Sequence, residues 1–121
     1  MNRLLTVSLM ILLNATTVFA DGSRYTDFDD EHLKYGKTIW MENCEACHGW
    51  GVADAPIPLN YDEWDFRIAK GKEVLYQHAI EGFFGIDDAM MPERGGNLSL
   101  TDEEVKAAVD YMFELALSHK K

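Results

Sequence analysis

Apolar residues recur at helical spacing over much of the chain, and no segment alternates apolar with polar as a half-buried strand would. The clearest stripe is Val105, Ala108, Val109, Met112 and Ala116, with Asp102, Glu103, Lys106 and Asp110 on the side expected to meet water. Its start is well marked. Thr101 as N-cap with Glu104 three positions on makes a capping box, and Leu100 with Val105 makes the flanking hydrophobic staple. An earlier helix is predicted from about His32 to Asn43, after the acidic turn Asp27 to Glu31, with Tyr35 or Gly36, Ile39 and Trp40 turned inward. Two shorter helices, Asp62 to Lys70 and Glu73 to Glu81, each stop at the glycine expected just past a helix end, Gly71 and Gly82. Gly49 to Asn60 and Phe83 to Ser99 are rich in Gly and Pro, lack periodicity and read as loops. The pattern predicts an all-α fold of three to four helices joined by long loops, and loops this long in a small domain usually carry function.

The N-terminus follows a different rule. Arg3 precedes the apolar stretch Leu4 to Leu13, and Val18-Phe19-Ala20 fits the small-x-small pattern of a secretory cleavage site. The apolar stretch is too short for the roughly 20 residues a membrane span needs. Residues 1–20 are therefore expected to be a cleaved signal peptide that sends the protein to the periplasm. Residues 21–121 then form a single domain, with 21–31 a flexible lead-in. The chain has 11 Lys and Arg against 21 Asp and Glu, a net charge of −10, and loss of Arg3 makes it one unit more negative. Such a surface does not suit nucleic acid. It keeps a secreted domain dispersed or offers an acidic face to a basic partner.

Cysteine usage narrows the chemistry. Cys44 and Cys47 are the only two cysteines, so no disulfide framework staples this small domain. They stand in the run Cys44-Glu45-Ala46-Cys47-His48, and Cys-x-x-Cys-His is the spacing that attaches a c-type haem. Two residues between the thiols let both sulfurs reach the vinyl groups on one porphyrin edge, and the adjoining imidazole of His48 can turn to the iron. The same string also permits a redox thiol pair or half of a zinc site. A thioredoxin-like site would need a strand leading into its helix, whereas a helical segment precedes Cys44. A zinc site would need a second ligand pair, which the spacing does not offer. His32, His78 and His119 are further imidazoles, each more simply read as surface or packing.

Beyond that run, the order of motifs resembles the bacterial class I cytochromes c, in particular the short periplasmic cytochrome c5 type. The likeness rests on Cys44 to Gly49 with Gly51, Ala55-Pro56, Trp64-x-x-Arg67-x-x-x-Gly71, Met91-Pro92 with Gly95-Gly96, and Leu100 to Val105 running on to Tyr111-Met112. The resemblance implies a class I cytochrome c fold wrapped around one covalent haem c. His48 would be the proximal ligand and Met91 the distal one, with Met90 the competing thioether. A thioether favours ferrous iron and raises the potential. It further implies that the Pro56 carbonyl orients the proximal imidazole, with Pro58 the alternative in the same loop. Trp64 and Arg67 would turn a donor toward a haem propionate. Gly36 and Trp40 would cross against Tyr111 of the last helix. The chain departs from its relatives in lacking a second late cysteine pair and in the acidic segment Phe83 to Ala89.

The expected function is a monohaem electron carrier and no enzyme, passing electrons between a donor and an acceptor protein, basic-faced or membrane-bound, without a small-molecule substrate. A haem protein with an open sixth position, a gas sensor or weak peroxidase, is the alternative, and thiol-disulfide exchange a more distant one.

Overall fold

The computed structural model describes residues 24–121, and the expected leader at 1–20 lies outside them. Its frame is the crossing of the first and last long helices. Helix α1 spans Glu31–Asn43, begun by Asp30, whose carboxylate accepts from the Leu33 N–H. A single further turn, α2, spans Glu45–His48. Then come α3 at Asp65–Lys70, α4 at Lys72–Glu81 and α5 at Asp102–Ser118. Thr101 and Glu104 exchange the two hydrogen bonds of the expected capping box at the start of α5.

Helices α1 and α5 pack closely because Gly36 has no side chain. A Cβ there would come within 2.8 Å of the Ala107 carbonyl carbon, nearer still to its oxygen, and within 3.2 Å of the Tyr111 Cβ. Trp40, Tyr111 and Leu115 are fully buried beside this crossing, and Ile39, Ala108, Met112 and Ala116 complete the cluster. Trp40 sits 5.7 Å from Tyr111 between ring centroids, and its indole N–H donates to the Met112 thioether at 3.2 Å. Of the neighbours Tyr35 and Gly36, Gly36 is the inner residue, while Tyr35 reaches outward to Glu104.

Three expectations are corrected. Residues 24–30, the described part of the segment before α1, are not a loose lead-in: Tyr25 is only 4% exposed, Thr26 accepts from the Tyr111 hydroxyl at 3.0 Å, and Lys37 donates to the Tyr25 carbonyl at 2.9 Å. An aromatic placed before the first helix can fill the open flank of Trp40, against which Tyr25 packs edge to face at 4.8 Å. The helix expected over Asp62 to Lys70 is broken into a 3₁₀ turn at Tyr61–Glu63 and α3, because the buried Trp64 indole occupies the joint. Asp110 does not face water. Its side chain is 13% exposed and accepts from Tyr76 Oη at 2.5 Å, from His32 at 2.8 Å and from Lys72 at 3.0 Å, tying α1, α4 and α5 together.

The segment Phe83 to Ser99 also carries more structure than a bare loop. Phe83–Phe84 (β1) pairs antiparallel with Met90–Met91 (β2), Phe83 opposite Met91 and Phe84 opposite Met90. The following turn, Glu93–Gly96, docks on the end of α1, where Asn97 donates to the Asn43 side chain at 2.8 Å. The residue before Cys44 is thus held against the loop that follows Met91.

Candidate functional site around Cys44, Cys47 and His48

Cys44 closes α1 through its N–H to the Trp40 carbonyl and at the same time opens α2, so the motif forms one extra helical turn. That turn puts Cys44 against the core, leaves Cys47 exposed and buries His48 to 6% exposure. His48 Nδ1 lies 2.9 Å from the Pro56 carbonyl oxygen. A carbonyl can only accept, so Nδ1 carries the proton and Nε2 keeps its lone pair. Burial is the main cause that lowers the His48 pKa from its ordinary value; the Pro56 bond opposes it and the nearby Arg67 guanidinium adds to it. The imidazole is therefore neutral, the form that binds a metal. Of the two prolines expected in this role, Pro56 makes the contact.

The Cys44 thiol does not suit disulfide exchange. Burial, with a smaller contribution from Cys47, pushes the Cys44 thiol up to about 12, whereas exchange needs a thiol poised as thiolate near neutral pH. Among the described residues no group of three or more His, Cys, Asp and Glu is arranged to hold a metal ion, so the zinc reading finds no ligand set.

A strap that the sequence reading missed crosses this turn. Arg24 Nη2 donates to the Gly49 carbonyl at 2.9 Å, its guanidinium lies 4.1 Å over the Trp50 ring, and Tyr25 Oη donates to Glu45 at 2.7 Å. Burial and Glu45 raise the Tyr25 hydroxyl to about 12, so it stays a donor. The only signal in the sequence was Arg24-Tyr25 itself, a cation and an aromatic in a stretch without periodicity.

Trp64 is buried in the same cluster that Cys44 borders, and its Nε1–H is the one buried side-chain polar atom without a hydrogen-bond partner among the described residues. Arg67, one turn on, donates to the Glu63 carbonyl and lies 4.4 Å over the Phe66 ring. Its effect on His48 places it within electrostatic reach of the motif. The two methionines differ in direction. Met91 packs against Ala79, Val105 and Val109, while Met90 is 50% exposed. His32 is engaged with Asp110, His78 stacks on Phe83 at 4.1 Å, and His119 lies 2.9 Å from the Leu115 carbonyl oxygen.

Known proteins are similar to this chain in sequence and fold. The family described as cytochrome c oxidase, cbb3-type, subunit III matches residues 31–112, from the first residue of α1 into α5. A cytochrome c-555 from Prosthecochloris aestuarii is 34% identical over 71% of this chain and 90% of its own length. This chain belongs to the class I cytochrome c family. A cytochrome c-555 from Chlorobaculum tepidum is 40% identical over 64% of the chain and 70% of the relative. Among solved structures, one described as an electron transfer complex of nitrite reductase with cytochrome c matches with a TM-score of 0.60 and 32% identity, covering 68% of this chain and 94% of that one.

The cytochrome is thus a haem-based electron carrier and not an enzyme, and its cofactor is covalently attached haem c. Cys44 and Cys47 stand at the attachment spacing. The chain's own geometry fits that group. A neutral imidazole with a free Nε2 suits an iron, and a buried indole N–H without an acceptor suits the carboxylate of a propionate. Among the described residues no helix is long and apolar enough to cross a membrane.

Proposed function

We propose that the cytochrome is a periplasmic electron carrier with His48 and Met91 as axial ligands, thioether-bonded through Cys44 and Cys47. The observation that carries the reading is the His48 to Pro56 hydrogen bond, which fixes both the tautomer and the plane of a buried imidazole. When bound, the haem supplies one reversible electron between its ferric and ferrous states. The chain does the rest. Met91, turned to the protein body by its place in β2, is the thioether available to the distal side, and Met90 faces solvent. Trp64 Nε1, which has no partner of its own, would donate to a propionate, and Arg67 would lend a cation that offsets its negative charge. The clamp between Asn43 and Asn97 keeps the methionine loop against the attachment turn, so the site need not rearrange between redox states. Residues 1–20 direct export and are removed, and electrons pass to and from partner proteins of the periplasm or its membrane.

The test is the ferric optical spectrum of exported protein. Wild type and Met90→Ala keep the weak near-infrared band of methionine ligation, and Met91→Ala loses it. Loss of the band in Met90→Ala instead would reverse the ligand assignment. Its absence from wild type would mean an open or bis-imidazole site.

A further inference from the structure

The β1–β2 hairpin carries apolar groups on the wrong side for a core. Phe84 is 79% exposed and Ile86 85%, and Met90, directly opposite Phe84, shares its face. Between the strands the chain turns through Asp87 and Asp88, both left-handed with φ of 57° and 62°, a conformation aspartate tolerates better than most residues. The turn is closed by backbone bonds from Gly85 N–H to Ala89 and from Ala89 N–H to Ile86, at 2.7 and 3.2 Å. It therefore holds its shape while presenting three apolar side chains and two carboxylates. Among the described residues neither carboxylate has an ion-pair partner. Contiguous exposed apolar surface on a small domain marks an interaction site.

We propose that this tip is where the cytochrome docks a redox partner that presents an apolar recess bordered by lysine or arginine. Charge complementarity selects that partner: the tip is acidic, Glu81 adds the same sign at the hairpin's base, and the whole chain carries −10. Position gives the docking its use. Met91 lies in the strand that begins with Met90, so a partner seated on Phe84 and Met90 sits one residue from the proposed distal ligand. The inference rests on the His48 and Met91 reading for that route.

Tris(1,10-phenanthroline)cobalt(III), a trication with apolar faces, is the probe. Ferrous holoprotein gives up one electron, Co(III) becomes Co(II), and no bond forms or breaks at the protein. At 0.01 M ionic strength Asp87→Asn/Asp88→Asn slows the second-order oxidation by about fivefold or more, and at high salt the difference closes. The same charge loss elsewhere, Asp29→Asn/Asp62→Asn, changes the rate by about twofold or less. Phe84→Ser/Ile86→Ser slows the cobalt complex about fivefold yet leaves reduction of ferric protein by hexaammineruthenium(II), a hydrophilic cation, within about twofold. Either hairpin variant behaving like the Asp29 and Asp62 control overturns the proposal. Each variant is first required to show the wild-type optical spectrum, so a failed ligand reading shows itself in that spectrum, before any rate is measured.

Discussion

Gly36→Ala is the sharpest test of how the two long helices meet. The added methyl would sit 2.8 Å from the Ala107 carbonyl carbon and 3.2 Å from the Tyr111 Cβ, so α1 and α5 have to part by about 1 Å to restore ordinary contact. A gap of that size forfeits about a quarter to a half of the dispersion energy across the seam. Trp40, Ile39, Tyr111 and Leu115 line it, and each buried side chain of this kind contributes about 1.5–3 kcal/mol, so the loss is about 1.5–6 kcal/mol, with a middle value of about 3–4 kcal/mol. Replacing a mid-helix glycine by alanine returns about 1 kcal/mol. The net cost is about 2–3 kcal/mol, which for a domain of this size lowers the melting temperature by about 10–20 °C. The assay is thermal unfolding of the holoprotein followed by far-ultraviolet circular dichroism. Gly71→Ala is the companion: no heavy atom lies within 4 Å of its Cβ position, so only the strain of φ +83° is felt, about 1–2 kcal/mol. If Gly36→Ala melts within about 3 °C of wild type, the helices do not approach as described and the reasoning fails.

Two further outcomes are expected. Trp64→Phe keeps the packing but removes the indole donor; if that donor serves a propionate, the midpoint potential falls by about 40 mV, the equivalent of about 1 kcal/mol for one electron, and an unchanged potential in redox titration would remove Trp64 from the haem site. Burial pushes the Asp110 carboxyl up, but the hydrogen bonds from Tyr76, His32 and Lys72 outweigh it and hold it below its ordinary value. A depressed carboxyl stabilises the fold above its unfolded pKa of about 4 and ceases to do so as pH falls through its folded value. Asp110→Asn should therefore cost about 1–2 kcal/mol at pH 7 and much less near pH 2, measured as urea midpoints. Equal losses at both pH values would count against the carboxylate as the anchor.

Much of the helical frame could be read directly because its signals are local. The capping box at Thr101 and Glu104 and the stripe through Val105, Ala108 and Met112 depend only on neighbours a turn away. The Cys-x-x-Cys-His run is likewise local, which is why the attachment turn could be placed before any tertiary contact was known. The misses are all tertiary. Asp110 occupies a polar position of its own helix, but α1 and α4 bring His32, Lys72 and Tyr76 over it, and nothing in the sequence around Asp110 announces them. Trp64 ends one helical turn and begins another because its indole is wanted in the core. Tyr25 looked like part of a tail, yet it has Trp40 to pack on and Glu45 to bond. The direction in which Met90 and Met91 face is set by the pairing with Phe83 and Phe84, a two-residue ladder too short to leave an alternating pattern.

The α1–α5 crossing also sets the order in which the protein can become itself. Gly36 and Ala107 meet across about 70 residues of chain, and closing a loop of that length costs about 4 kcal/mol of chain entropy before any contact forms. Synthesis runs from the N-terminus, so the segment bearing Cys44, Cys47 and His48 exists well before Tyr111 and Leu115, the residues that seal Trp40 inside. Until α5 is complete there is no core to cover Cys44, whereas Cys47 is exposed even in the closed fold. The open chain is thus accessible to attachment chemistry at both sulfurs, and the last helix acts as the closure that ends access to Cys44.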